Sequence, residues 1–341
     1  MQKTTLLAIS LALFGAGCVS NDTANTSGVN ANAKLAKAKP ANTQLKSASK
    51  PVTKPANNPP VELNGKMINE SFENGGWNAP HARGFTPGLK KDLPQNFMFN
   101  QHQGDHAFVL EDKIVRDGNY AAKLVWHHTN PAAYNGKKNK VDNVDRKAMF
   151  HGFKTKKVMG AHAWYGFSFY FPSDGTADEL NEWLFFQIHG SADKRLKEHS
   201  RNPPFSITMD KDGLHGSYKW DPDEKSITRK GKGTKRYRIP GAKSNYLDRW
   251  VDFVVHVKVD YSEAKNGIVE LWVDGKKVLN EQNVQFGYND DKGIYPSWGM
   301  YFNGDLSVMK HDHYLYLDEI RTTDAANATY QDVAPRGRAK Q

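Results

Sequence analysis

Short runs in which apolar and polar residues alternate, broken by turn residues and not by helical stretches, set the limits on what this chain can fold into. Phe167, Phe169 and Phe171 alternate with Ser168 and Tyr170. Val251, Phe253, Val255, Val257 and Val259 alternate with Asp252, His256 and Lys258. A period of two sends successive side chains to opposite faces of a strand, so each run has a core face and a wetter face. The run 268–273 meets Asp274-Gly275 and resumes at 276–279, the signature of a tight hairpin. Residues 314–320 alternate again, and further strands are expected at 106–110, 121–127, 146–153, 184–189, 205–209, 213–220 and 299–302. A single short helix is expected at 177–183. Many short strands with so little helix imply an all-β sandwich of two packed antiparallel sheets, a β-jelly roll with a concave groove.

The ends of the chain read differently. Lys3, the apolar run 6–14, and Gly15, Ala16 and Gly17 directly before Cys18 have the order of an export signal. The apolar run is shorter than the roughly 20 residues of a membrane-spanning helix. Cys18 is the only cysteine in 341 residues, so no intramolecular disulfide can form. Its place after a small-residue cleavage site resembles a bacterial lipobox, with Gly15 where a Leu is usual. That implies a signal peptide at 1–17 and lipidation of Cys18. No acidic retention signal follows at Val19 and Ser20, so the expectation is an exported lipoprotein of the outer membrane. Residues 18–60 lack large apolar side chains and read as a disordered linker. The linker and Lys3 hold more than half of the net charge of +10, because Lys34, Lys37, Lys39, Lys46, Lys50 and Lys54 face only Asp22 there. Residues 61–330 suit one domain, monomeric, with 331–341 as a basic flexible tail.

Six segments occur in order: Trp164-Tyr-Gly-Phe-Ser-Phe-Tyr-Phe-Pro172, Phe186-Gln-Ile-His-Gly190, Trp250-Val-Asp-Phe-Val-Val-His-Val-Lys258, Val269-Glu-Leu-Trp-Val-Asp-Gly-Lys-Lys277, Lys292-Gly-Ile-Tyr295 and Tyr316-Leu-Asp-Glu-Ile-Arg321. Together they resemble the polysaccharide lyase family of the glucuronan lyase and heparin lyase I type, which is alginate-lyase-like in architecture. The resemblance implies a jelly roll whose groove binds an acidic, uronic-acid-containing polysaccharide. It also implies cleavage by β-elimination and a structural calcium ion.

Such a reaction needs a base for the C5 proton of a uronate, an acid for the departing C4 oxygen, and donors aimed at the carboxylate. Alternation over 184–189 places Leu184, Phe186 and Ile188 on one face and Phe185, Gln187 and His189 on the other. The second face sets an amide donor beside an imidazole. The resemblance makes His189 the base and Gln187 a carboxylate ligand. It makes Tyr295 catalytic too, although a phenol can donate a proton to the leaving oxygen or, as phenolate, serve as base. Relatives carry a Lys four residues before this Tyr. Here Asp291 holds that place, so Lys292 is the expected cation. Arg146 stands where relatives have an Arg that grips a carboxylate, but the Glu usual two places on is Ala148. His102, His106, His127 and His128 are further imidazoles with no assignable role.

For calcium, the expected donors are Glu73, Asp318 and Asn119, with backbone oxygen near Gly118. No His or Cys spacing suggests zinc. Two basic runs remain. Lys137, Lys138 and Lys140 form one, and Arg229, Lys230, Lys232, Lys235, Arg236 and Arg238 form the other, read as a mobile Gly-containing loop that attracts a polyanion. Nucleic acid is not the expected partner, because the chain carries an export signal. Two other functions compete with the lyase: a jelly-roll glycoside hydrolase, and a carbohydrate-binding lipoprotein without activity. A hydrolase would need two carboxylates across the bond. Glu270 and Asp274 belong instead to the hairpin pattern.

Overall fold

The computed structural model describes residues 62–74, 83–84, 96–129, 144–156, 159–176 and 182–336. The expected signal, lipidated Cys18, linker and Lys137–Lys140 run lie outside the described residues. The first eight strands are β1 (Ile68–Glu70), β2 (Arg83–Gly84), β3 (Phe99–His102), β4 (Phe108–Glu111), β5 (Ala121–Trp126), β6 (Lys147–His151), β7 (His162–Tyr170) and β8 (Glu182–His189). The next eight are β9 (Phe205–Asp210), β10 (Gly213–Trp220), β11 (Gly233–Arg238), β12 (Trp250–Lys258), β13 (Gly267–Val273), β14 (Lys276–Val284), β15 (Tyr295–Tyr301) and β16 (His313–Thr323). One sheet runs β14-β13-β12-β7-β16-β5-β4, with β1 also on β16. The other runs β11-β10-β9-β8-β15-β6-β3-β2. Pairing is antiparallel apart from β2 with β3. This is the expected all-β jelly-roll sandwich.

The sheets meet through the alternating faces. Phe167 stacks on Phe186 at 4.5 Å between ring centroids, Phe169 meets Phe185 edge-on at 5.3 Å, and Phe253 lies 5.5 Å from Phe185. All five rings are fully buried. Each contributes about 1.5–3 kcal/mol relative to exposure. The Asp274-Gly275 turn has φ of 48° and 78°, both in the left-handed region that a two-residue hairpin of this hand requires.

Three expectations change. Glu182 and Trp183 open β8, so the expected helix does not reach them, and 177–181 lie outside the described residues. Part of the expected tail is folded: residues Tyr330–Val333 form a helical turn, α1, whose Val333 is fully buried against Trp164 and Val254. The basic run from 229 is no simple loop, because Gly233–Arg238 form the edge strand β11.

On the outer face of the first sheet, His256 Nδ1 lies 2.7 Å from Glu270 Oε2, which leaves the imidazole and carboxylate buried together. Burial brings the His256 pKa down to about 4, outweighing the carboxylate. Between the ordinary imidazole value near 6.5 and this one, the unfolded chain binds a proton that the folded chain refuses, so stability falls on acidification through that window by roughly 3 kcal/mol. Glu270 works in the same sense, since despite burial its carboxyl is held low by bonds from His256 and Lys277. Denaturant unfolding at pH 7 and pH 4 should therefore show a larger loss for the native chain than for His256→Gln, and equal losses would refute the assignment.

Candidate active site

A cleft of about 930 Å³ crosses the outer face of the second sheet, from Gln101 on β3 to Arg238 on β11. β8 and β15 run through its middle. Alternation alone does not decide which side chains of β8 face it, because a bulge between Leu184 and Phe186 inserts an extra residue. Trp183, Phe185, Phe186 and Ile188 all go to the core, whereas Glu182, Leu184, Gln187 and His189 line the cleft. Leu184 and Phe185 are thus each on the face opposite to the one expected, but Gln187 and His189 are where expected.

His189 stands directly opposite Tyr295 across the β8–β15 pair, with the rings 5.7 Å apart and 26° from parallel. Its Nδ1 lies 2.6 Å from the carbonyl oxygen of Gly190. A carbonyl only accepts, so in the neutral ring Nδ1 carries the proton and Nε2 the lone pair. One step along β15, Ser297 faces both Gln187 on β8 and His151 on β6. His151 Nδ1 is 2.7 Å from Ser297 Oγ, and its ring stacks 4.1 Å from Phe99. Burial pushes the His151 pKa well below 6.5, with Lys147 and His189 adding to the effect, so the ring is neutral. His151 Nε2 and Gln187 Oε1 are buried with no hydrogen-bond partner among the described residues. Orphaned polar atoms on either side of Ser297 are suited to a ligand, because a buried group left unsatisfied costs about 1–3 kcal/mol.

Two expected cations are placed elsewhere. Arg146 does not line the cleft; its guanidinium donates to the carbonyls of Phe302 at 3.3 Å and Gly304 at 2.6 Å. Its neighbour Lys147 lines the cleft instead, donating to Gln101 Oε1 at 2.8 Å and lying 4.4 Å from the Tyr301 ring centroid. Ala148 faces the core. Lys292 is exposed and off the cleft, and Asp291 pairs with Arg195 at 2.7 Å. The cation beside the catalytic Tyr candidate is Lys154, 5.5 Å from the Tyr295 ring centroid and bonded to Ser191 Oγ at 2.8 Å. Its pKa is lowered by burial and by the nearby charge of Lys292. His151, Lys147 and Lys154 are the residues that the sequence reading missed. For the first two a signal existed: period two over Lys147–His151 puts Lys147 and His151 on one face and Ala148 and Phe150 on the other.

The four upstream imidazoles that the sequence left without a role serve local structure. His127 and His128 both hold Asp312, at 2.6 and 2.8 Å, and His106 meets Gln103 at 2.9 Å. His102 is buried against Phe150.

The expected calcium donors do gather round one turn, but with the wrong polarity. Glu73 Oε1 accepts from the backbone of Asn119 at 2.7 Å and of Tyr120 at 2.8 Å, and Oε2 accepts from the Asn119 amide at 3.0 Å. Asp318 Oδ2 accepts from the backbone of Arg116 and Asp117, at 2.9 and 3.1 Å, and Oδ1 from Glu319 at 2.7 Å. All four carboxylate oxygens therefore face N–H donors, where calcium needs an oxygen cage. These residues fit a turn-capping role and not a calcium site.

A family model described as polysaccharide lyase matches residues 92–321. No curated protein matches the sequence. Among solved structures, the chain is similar to an endo-β-1,4-glucuronan lyase from the fungus Trichoderma reesei, at 18% identity and a TM-score of 0.51 over 67% of this chain and 90% of that one. It is also similar to a marine alginate lyase from Aplysia kurodai, at 15% identity and a TM-score of 0.42 over 65% of this chain and 88% of that one. At such identities the first likeness shows the fold, and the second is too distant to carry an argument.

Proposed function

The chain belongs to the polysaccharide lyase family, and from that premise we propose that it cleaves a uronic-acid polymer by β-elimination at the His189–Tyr295 pair. The supporting observation is that an imidazole and a phenol stand opposite one another in a single cleft, one register step from an amide and a neutral imidazole with unsatisfied buried atoms. His189 Nε2 takes the C5 proton, and the C–H electron pair becomes the C4–C5 double bond. The C4–O bond breaks, and Tyr295 supplies the proton that the departing oxygen needs. Negative charge grows on the uronate carboxyl as C5 loses its proton. The donors that would hold it are the Gln187 side-chain amide through its N–H, and His151 through Nε2–H when Nδ1 accepts from the Ser297 hydroxyl, both neutral dipoles in a desolvated floor. The Gly190 carbonyl keeps His189 in the tautomer whose basic nitrogen is Nε2.

Hydrolysis fits less well. It needs two carboxylates roughly 5–10 Å apart, and among the described residues lining the cleft Glu182 is the one acid. Glu270 is on the other sheet, tied to His256 and Lys277. The test is a panel of glucuronan, ulvan, alginate and heparin-type chains. At least one should yield the ultraviolet absorbance of an unsaturated uronate. New reducing ends without that absorbance would mean hydrolysis and overturn the proposal.

A further inference from the structure

Positive charge in the cleft lies mainly on one side of the cutting residues. β10 and β11 pair so that Ser217 faces Arg236, Lys219 faces Thr234 and His215 faces Arg238, and all six line the cleft. Arg229 and Lys230 join them. The alternate residues of β11 turn away: Lys235 pairs with Glu281 at 2.7 Å, and Tyr237 donates to the Ser206 carbonyl at 2.8 Å. Arg238 is neutralised by Asp210 at 2.9 Å. Among the described residues, no carboxylate is within 4.0 Å of Lys219, Arg229, Lys230 or Arg236, whereas neighbouring cations find partners. Lys219 is partly buried, donates to Ser217 Oγ at 2.7 Å, and has its pKa lowered to about 8 by burial and by Arg236, with the charge of Glu182 acting the other way. Among the described residues lining the cleft, Glu182 is the one acid near these cations, so most of their charge is left for a bound anion to balance.

The position of this bank relates it to a bound chain. β8, β9, β10 and β11 are consecutive in the sheet, so at about 4.8 Å per strand the bank begins roughly 10 Å from His189. Ser206 and Thr208 of β9 form a neutral floor between. A sugar in an extended polymer is about as long as one strand spacing. Two strands therefore face about two sugars, and a polymer with one carboxylate per sugar would leave half of this charge unmatched.

Resting on the lyase reading above, we propose that the β10–β11 bank is a sulfate-binding subsite, and that the preferred substrate is a sulfated uronan whose sulfate ester, beyond the sugar that is cut, binds Arg236 with Lys219 and Lys230. A planar guanidinium and two ammonium groups suit the oxygens of a sulfate.

The experiment compares a naturally sulfated uronan, such as ulvan or a heparin-type chain, with its chemically desulfated counterpart, using the full chain and a Lys230→Gln/Arg236→Gln variant. The native protein should show a lower KM for the sulfated polymer. The variant should lose that preference about tenfold or more, as expected for lost hydrogen bonds between charged groups, with kcat little altered. Equal KM changes on both polymers, or none on either, would overturn the proposal. If neither polymer is cut, calorimetric binding of the same two polymers decides the subsite, and the lyase reading is judged separately on the full panel above. Tighter binding of the sulfated chain that the variant loses supports the subsite, and indifference to sulfate refutes it.

Discussion

Replacing His189 with Ala is expected to lower turnover of the best uronan by about 10²–10⁴-fold, the usual range for removing a general base, with melting temperature little changed. The fold should tolerate the change because the imidazole sits half-buried at the end of β8 with its ring toward the cleft. Tyr295→Phe should cost a similar factor while keeping the ring contacts with His189 and Phe99, at 5.7 Å each, so the loss isolates the hydroxyl. The double variant should be little worse than either single one, since a base without its acid, or the reverse, completes no elimination. Initial rates from unsaturated-uronate absorbance, alongside thermal melts, measure both quantities. If either single variant keeps native turnover, the site is misassigned. If both lose activity only because they unfold, the residues are structural.

Most of the sheet architecture could be read from the sequence, because a strand buried on one face must alternate, and β7, β12 and β13 do so throughout, while β16 does so until an irregularity between Asp318 and Arg321 shifts its core face from Leu315 and Leu317 to Ile320. Where the reading failed, the reason is physical in each case. The bulge at β8 breaks the period that placed Leu184, and no local residue pattern announces it. β11 reads as a loop in the sequence because an edge strand, exposed on much of its surface, carries charged residues in place of the apolar face that marks a buried strand. That error matters, since only a strand can send Arg236 and Arg238 into the cleft and Lys235 away from it. At the site, His189, Gln187 and Tyr295 lie in one cleft, the placement that the resemblance implies. Arg146 is not among them, because it ends the turn before β6, and the period of that strand points to its neighbour Lys147. Lys154 was out of reach, since only the third dimension brings it to Tyr295.

The largest stability effect should come from a residue that does no chemistry. Arg201→Leu is expected to cost about 3–5 kcal/mol, the penalty for stranding buried carboxylates without their cation. The Arg201 side chain is 3% exposed, and those of its ion-pair partners, Glu198 and Asp290, are 0% exposed. Arg201 also donates to Ser226 Oγ at 3.1 Å and lies 4.8 Å from the Tyr288 ring centroid. Glu198 in turn holds the backbone of Ser226 and Asp193, at 2.7 and 2.9 Å, and Asp193 holds that of Asp291 at 2.9 Å. This cluster thus ties the segment after His189 to the segment before Tyr295. Gly190 fits between them because any side chain there would meet the Asp290 carboxylate. Denaturant unfolding should show the full loss in Arg201→Leu, and a smaller one when Asp290→Asn is added, since one stranded charge is then removed. A single-variant loss under about 1 kcal/mol would mean that water reaches these carboxylates and screens them as it screens a surface pair. If the loss is as large as expected, the relative placement of base and acid depends on a buried ion pair behind the cleft as well as on the register of β8 with β15.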